Sequence, residues 1–229
     1  MKTFPPCRTR TGAASRAAAV LAISVLSGCG ASLLPKPPPA AARYTLDAAA
    51  TATATRPATA TAAANAPVLL VALPSAAAGY DSARMLYQRQ PQQLEAFAFH
   101  EWVEPPARLL APLLVQALQA TGAYRAVLMA PSAGTGALRL ETEVLRLQHD
   151  FSAQPSTVRL TLRAALIDAA TRRVLATQVF DASQPAARDD PVAGVAAAQQ
   201  ATLRVLDQLA AACAGWTRAA QLAPVSAAR

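Results

Sequence analysis

From Leu138 to Phe180 the chain repeats one pattern three times, and few folds accept it. Leu138, Leu140, Thr142 and Val144 alternate with Arg139, Glu141 and Glu143. Val158, Leu160, Leu162, Ala164 and Leu166 then oppose Thr157, Arg159, Thr161 and Arg163, and Asp168 to Arg173 loops into Val174 to Phe180. A period of two places alternate side chains on opposite faces of a strand. Each stretch therefore reads as a strand with one buried and one wet face, and the three predict an antiparallel meander. At Val144-Leu145 the phase slips, and Leu145 and Leu147 take over the apolar positions. One inserted residue with a change of phase predicts a β-bulge.

A one-sided sheet needs a cover, and two segments of helical period supply it. Asp189-Asp190-Pro191 precedes Val192, Val195, Ala196, Gln199, Thr202, Leu203, Leu206, Leu209 and Ala210. The acids offer an N-cap, Pro191 suits the first helical position, and the stripe predicts a helix of about six turns. Upstream, Leu109, Leu110, Leu113, Leu114, Ala117 and Leu118 form a second stripe ended by Gly122, with Glu104-Pro105 at its head. Pro112 interrupts it, because it removes the hydrogen bond to the Arg108 carbonyl; a kink, or a start near Leu110, is expected.

Further strands are expected at Val68 to Leu73, an apolar run of central-strand length closed by Pro74, and at Tyr124 to Met129. Met85 to Arg89 and Leu94 to Phe99 read as a hairpin with a loose turn at residues 90–93. The fold class is α+β: a mainly antiparallel sheet with two amphipathic helices on one face, in a single domain.

The N-terminus has a different character. Lys2, Arg8, Arg10 and Arg16 precede an apolar run, Ala17 to Leu26, broken only by Ser24. That run is about half the roughly 20 residues a bilayer span needs, and it has the length of a signal-peptide core. Leu26-Ser27-Gly28-Cys29 follows. It resembles the lipobox of bacterial lipoproteins, in which cleavage between Gly28 and Cys29 leaves an acylated cysteine as the new N-terminus. Residues 1–28 are thus expected to be a signal peptide. Gly30 stands where lipoproteins kept at the inner membrane often carry Asp, so an outer-membrane anchor facing the periplasm is expected.

Residues 29–66 would form the lipidated N-terminus, a tether rich in proline (Pro35, Pro37, Pro38, Pro39) and an Ala/Thr-rich low-complexity stretch, with a short strand at 43–46. The proline-rich tether itself, residues 30–43, reaches roughly 40 Å at ~3.1 Å per residue. The folded domain is expected over 67–215 and a C-terminal tail over 216–229.

Charge narrows the function classes. The formal net charge of +8 includes four cations of the signal peptide; without them 17 cations face 13 acids. No basic patch interleaved with aromatics is present, so a nucleic-acid partner is not expected. Cys7 leaves with the signal and Cys29 takes lipid, so Cys213 has no disulfide partner and reads as a small buried hydrophobe.

The order of these features carries a family resemblance. The lipobox, Tyr44-Thr45-Leu46, the Val68 to Pro74 strand, Trp102-Val103-Glu104-Pro105, the Leu-rich helix, the meander and the Asp-Asp-Pro helix start together resemble the ABC-type transport auxiliary lipoproteins, the PqiC-like group. Pro112 and the Ala/Thr insertion depart from the pattern. The resemblance implies a periplasmic lipoprotein partner of a transporter built from an ATPase, a permease and a mammalian-cell-entry (MCE) domain protein. Such systems move lipids or other hydrophobic molecules through the envelope. Self-association is compatible with that role, and no cofactor and no catalytic residue come with the family. The competing reading is a structural or regulatory lipoprotein of envelope or cell-wall assembly.

Motifs for chemistry are sparse. His100-Glu101 opens like a zinc helix, but position 104 is Glu, so the second histidine is missing and His100 is placed at a strand edge. His149-Asp150 reads as a turn. No Gly-x-Ser-x-Gly elbow and no phosphate loop is present. Trp102, Phe97 and Phe99 form one aromatic cluster, read either as an anchor packing the helix start onto the sheet or as an exposed contact for a partner or lipid. Arg159 and Arg163 are expected to be solvated or paired with Glu141 or Glu143.

Overall fold

One strand organises the sheet. In the computed structural model, which describes residues 39–47, 65–152 and 154–222, the longest strand is Leu138–Asp150. Numbered along the chain, the strands are β1 (Ala42–Tyr44), β2 (Val68–Val71), β3 (Ser75–Ala76), β4 (Arg84–Gln90), β5 (Gln93–Trp102), β6 (Ala126–Met129), β7 (Leu138–Asp150), β8 (Thr157–Asp168) and β9 (Val174–Pro185). The helices are α1 (Pro106–Gln119) and α2 (Pro191–Leu222). Three short strands lie end to end along one edge of β7, all parallel to it: β2 beside Leu138–Leu140, β3 beside Glu143–Val144 and β4 beside His149–Asp150. Along its other edge β7 pairs antiparallel with β8 over its whole length, and β9 follows. β6 extends the sheet beyond β2, and β5 and then β1 extend it beyond β4.

The meander matches the alternation that predicted it. The register passes from Val144↔Leu162 to Arg146↔Thr161, so Leu145 is the extra residue of the bulge. Leu138, Leu140, Val144 and Leu147 on β7 and Leu160, Leu162 and Leu166 on β8 are buried under the helices. Fully burying side chains of this size contributes about 1.5–3 kcal/mol each. β9 runs five residues beyond Phe180, to Pro185.

Both helices depart from expectation at their ends. α1 starts at Pro106, not near Leu110, and passes through Pro112. The reason is its orientation: Arg108 and Pro112 are both exposed, so water can satisfy the carbonyl that proline leaves without an amide. Leu110, Leu113, Leu114, Ala117 and Leu118 fill the buried side. At its far end Gly122 adopts a φ of +65°, a turn that a side chain would strain. α2 begins at Pro191 as expected, with the Ala193 amide donating to Asp190 Oδ1 at 2.7 Å. It continues to Leu222, well beyond six turns. Trp216 against Phe180 (centroids 6.2 Å apart) and the Thr217–Tyr124 hydrogen bond hold that extension on the sheet.

The β4–β5 connection is tighter than its sequence suggested. Gln90 pairs with Gln93, leaving Pro91-Gln92 as a two-residue turn with Gln92 at φ +69°. A one-residue register shift lies beside the turn, between Gln88 and Gln90, and a larger irregularity sits inside β5. Leu86 pairs with Ala96 but Arg84 pairs with Glu101, so β5 carries three residues more than β4 across that interval.

Candidate functional site

That irregularity distributes the aromatic residues of β5. Strict alternation would put Phe97 and Phe99 on one face; the extra residues separate them. Phe97 turns inward, 4.4 Å from the Tyr87 ring and 6.3 Å from Phe151. Phe99 stays outside with 46% of its surface exposed, as does Val103. Trp102 is buried in the core at the head of α1. The expected cluster is therefore split: Trp102 and Phe97 pack, and Phe99 alone faces solvent. His100 is not at a sheet edge, because β1 pairs outside it; its Nδ1 lies 2.9 Å from the Tyr44 hydroxyl. Gly28 and Cys29 fall outside the described residues.

Phe97 and Trp102 also line a slot between the sheet and α2, together with Met85, Leu147, Val158 and His149. Its narrow interior, about 20 Å³, has room for one water molecule. His149 is the polar group here, and it corrects the sequence reading. It is not in a turn: it stands on β7, 4% exposed, opposite Val158 of β8 and beside Tyr87 of β4. The signal was present, since continuing the alternation two places from Leu147 points residue 149 inward.

The imidazole joins three segments. Its Nε2 lies 2.9 Å from Ser156 Oγ, and the Ser156 amide donates to Asp189 Oδ1 at 3.1 Å. The hydroxyl and amide of Ser156 hold the Asp189 carboxyl below its usual range. Phe151 packs on the His149 ring at a tilt of 33°, centroids 4.1 Å apart. Burial lowers the His149 pKa, against the opposing influence of Asp189, Asp190 and Asp150. A serine beside a histidine invites comparison with a hydrolase. The geometry lacks the essentials: Ser156 is fully buried, and the carboxylate engages the serine, not the histidine. Among the described residues no group of three His, Cys, Asp or Glu side chains is arranged to hold a metal.

The outer sheet face is charged and internally paired. Arg163 bonds Glu143 as expected, but Arg159 pairs with Asp181 of β9 at 2.8 Å, and Glu141 takes Arg139 at 2.9 Å. Arg159 lies directly beside β9 in the antiparallel ladder, within easy reach of Asp181. Cys213 is a free, fully buried thiol, pushed up to about 12 by burial.

Comparison with known proteins places this arrangement. The family model described as ABC-type transport auxiliary lipoprotein component matches residues 44–210, from the end of β1 to the middle of α2. The crystal structure of protein XCC0632 from Xanthomonas campestris superposes with a TM-score of 0.65 at 25% identity, covering 79% of this chain and 99% of that one. An uncharacterized protein of known structure follows at 16% identity and a TM-score of 0.55, over 77% of this chain and 98% of its own. No curated protein matches the chain.

Proposed function

Because the chain belongs to the family of ABC-type transport auxiliary lipoprotein components, we propose that it serves an MCE-type transport system as its periplasm-facing lipoprotein. The observation that carries this reading is the extent of the family match, which spans the described fold almost from end to end. The family is one of transport components and not of enzymes, and the buried Ser156–His149 pair supports a non-catalytic role.

In this reading cleavage follows Gly28 and the lipid on Cys29, palmitate included, fixes residues 29–66 to the periplasmic face of the outer membrane. One acyl chain gives only marginal binding and several give near-permanent attachment, so a multiply acylated cysteine holds the domain within one tether length of the membrane. Residues 67–215 then dock the MCE-domain protein, or extend its conduit, so that lipids or other hydrophobic molecules pass between membranes. Phe99 is the aromatic available for such a contact, whereas Phe97 and Trp102 are committed to packing. ATP hydrolysis and membrane passage belong to the ATPase and permease.

The test is co-purification of the lipidated protein with an MCE-domain protein, permease and ATPase from gently solubilised envelopes. Recovery of the MCE-domain protein is expected, and Phe99→Ala should weaken it. Labelling with radioactive palmitate should be lost in Cys29→Ala. Retention of label would remove the anchor from the reading. Failure to recover any transporter component, with label intact, would turn the assignment towards envelope assembly.

A further inference from the structure

The surroundings of His149 favour one tautomer. The Asp189 carboxylate accepts from the Ser156 amide, and Ser156 Oγ lies 2.9 Å from His149 Nε2. A proton on Nε2 has Ser156 Oγ to accept it, whereas Nδ1 has no acceptor, so the neutral ring carries its proton on Nε2 and leaves Nδ1 bare. Nδ1 has no hydrogen-bond partner, although His149 is 4% exposed.

What lies against Nδ1 is the first turn of α2. A Cβ on Gly194 would stand 2.6 Å from Nδ1 and 2.9 Å from Cε1, so only glycine admits the ring. A helix N-terminus presents amide donors, not acceptors, and carries the positive end of the helix dipole. The nearby Asp190 carbonyl already accepts from the Gly194 amide. A proton on Nδ1 would therefore face a close-packed backbone with nothing to receive it.

We propose that His149 is a proton-operated latch: protonation at Nδ1 expels the first turn of α2 and the preceding residues 186–190 from the sheet, opening the slot beside Phe97 and Trp102. The same imidazole that holds Ser156, and through it Asp189, would lose its place when the turn moves. The charged and titratable groups around it are Asp150 on its own strand, Tyr87 on β4, and Arg188, Asp189 and Asp190 in the loop before α2. Asp189 and Asp190 favour the cation, but Asp189 is engaged with Ser156 and Asp190 with Arg188 at 2.7 Å. Burial, the largest influence on the ring, opposes it and lowers its pKa. The closed state is therefore fully favoured above the ordinary histidine pKa of about 6.5 and weakens as pH falls below it.

Hydrogen exchange of the mature lipoprotein, corrected for the pH dependence of chemical exchange, tests the latch. Between about pH 7.5 and pH 5.5, straddling the ordinary histidine pKa, protection of residues 186–197 should fall by about tenfold while β7 and β8 stay protected. His149→Gln keeps a donor for Ser156 but cannot take a proton, and should abolish the acid response. An equal response in His149→Gln would overturn the proposal, as would no response in the native protein. Should that variant fail to fold, a proton NMR titration of the native protein decides. The Gly194 amide must shift with the His149 ring at one midpoint below about 6.5; separate midpoints, or an ordinary one, would overturn it.

Discussion

The hydroxyl of Tyr124 meets Thr217 Oγ1 at 3.1 Å, both side chains buried, and so ties the segment before β6 to the last turns of α2. Tyr124→Phe leaves the Thr217 hydroxyl to its own helix carbonyls and should cost about 1 kcal/mol in urea denaturation. Burial also raises the Tyr124 pKa. The folded state thus keeps the phenol proton longer than the unfolded chain does. The sign follows: this contribution is complete below the unfolded value of about 10 and is lost as pH rises above it. The urea midpoint of the native protein should fall between about pH 9 and pH 11, and that of Tyr124→Phe should fall less.

Cys213 offers a second alkaline titration and a chemical probe. Its thiol is pushed up to about 12 from an ordinary value of 9.0. Thiolate is the reactive form, so a thiol reagent at about pH 8 should label the folded lipoprotein only through opening of α2. Labelling in urea should be complete within minutes. Fast labelling without denaturant would mean that α2 does not stay docked there.

Gly194→Ala sets two effects against each other. Alanine is the better helix former by about 1 kcal/mol, yet its methyl would press on the His149 ring, and overpacking typically costs about 1–3 kcal/mol. Net destabilisation is expected. Adding His149→Ala removes the clash, so the double variant should be more stable than the sum of the single changes predicts, with a coupling of at least ~1 kcal/mol in a double-mutant cycle.

Pro112→Ala should stabilise the domain. The interior proline carries a penalty of up to ~3 kcal/mol relative to alanine, partly offset by its restriction of the unfolded chain. Because residue 112 is exposed, little packing against the ring is lost. A gain of about 1–2 kcal/mol in thermal or urea unfolding is expected. A loss would show that α1 needs the proline's local geometry.

The parts legible in the sequence are those governed by near neighbours. The alternation of β7 to β9, the bulge at Leu145 and the start of α2 at Asp190-Pro191 each rest on residues within a few positions of one another. The parallel pairing of β2, β3 and β4 along β7 joins segments tens of residues apart, and short apolar runs do not specify which partner they take. The His149 site fell between these cases. Its inward direction was encoded by the alternation after the bulge, and Gly194, in an otherwise alanine-rich helix start, marked a close approach. What joins them with Ser156 and Asp189 is tertiary. The aromatic cluster divided for a similar reason: the extra residues inside β5 become visible only once β4 supplies the register.

The end-to-end seating of β2, β3 and β4 on β7 also orders events in time. Among the described strands β2 and β3 make only parallel ladders, and β3 has no partner other than β7. A chain delivered from its N-terminus must hold β3 unpaired, and β2 without its β7 partner, until residue 138 onward has emerged. Such non-local pairing is intrinsically slow. In the exported lipoprotein proposed above, the late arrival of β7 is a built-in delay: the sheet cannot be completed before residue 138 onward has crossed.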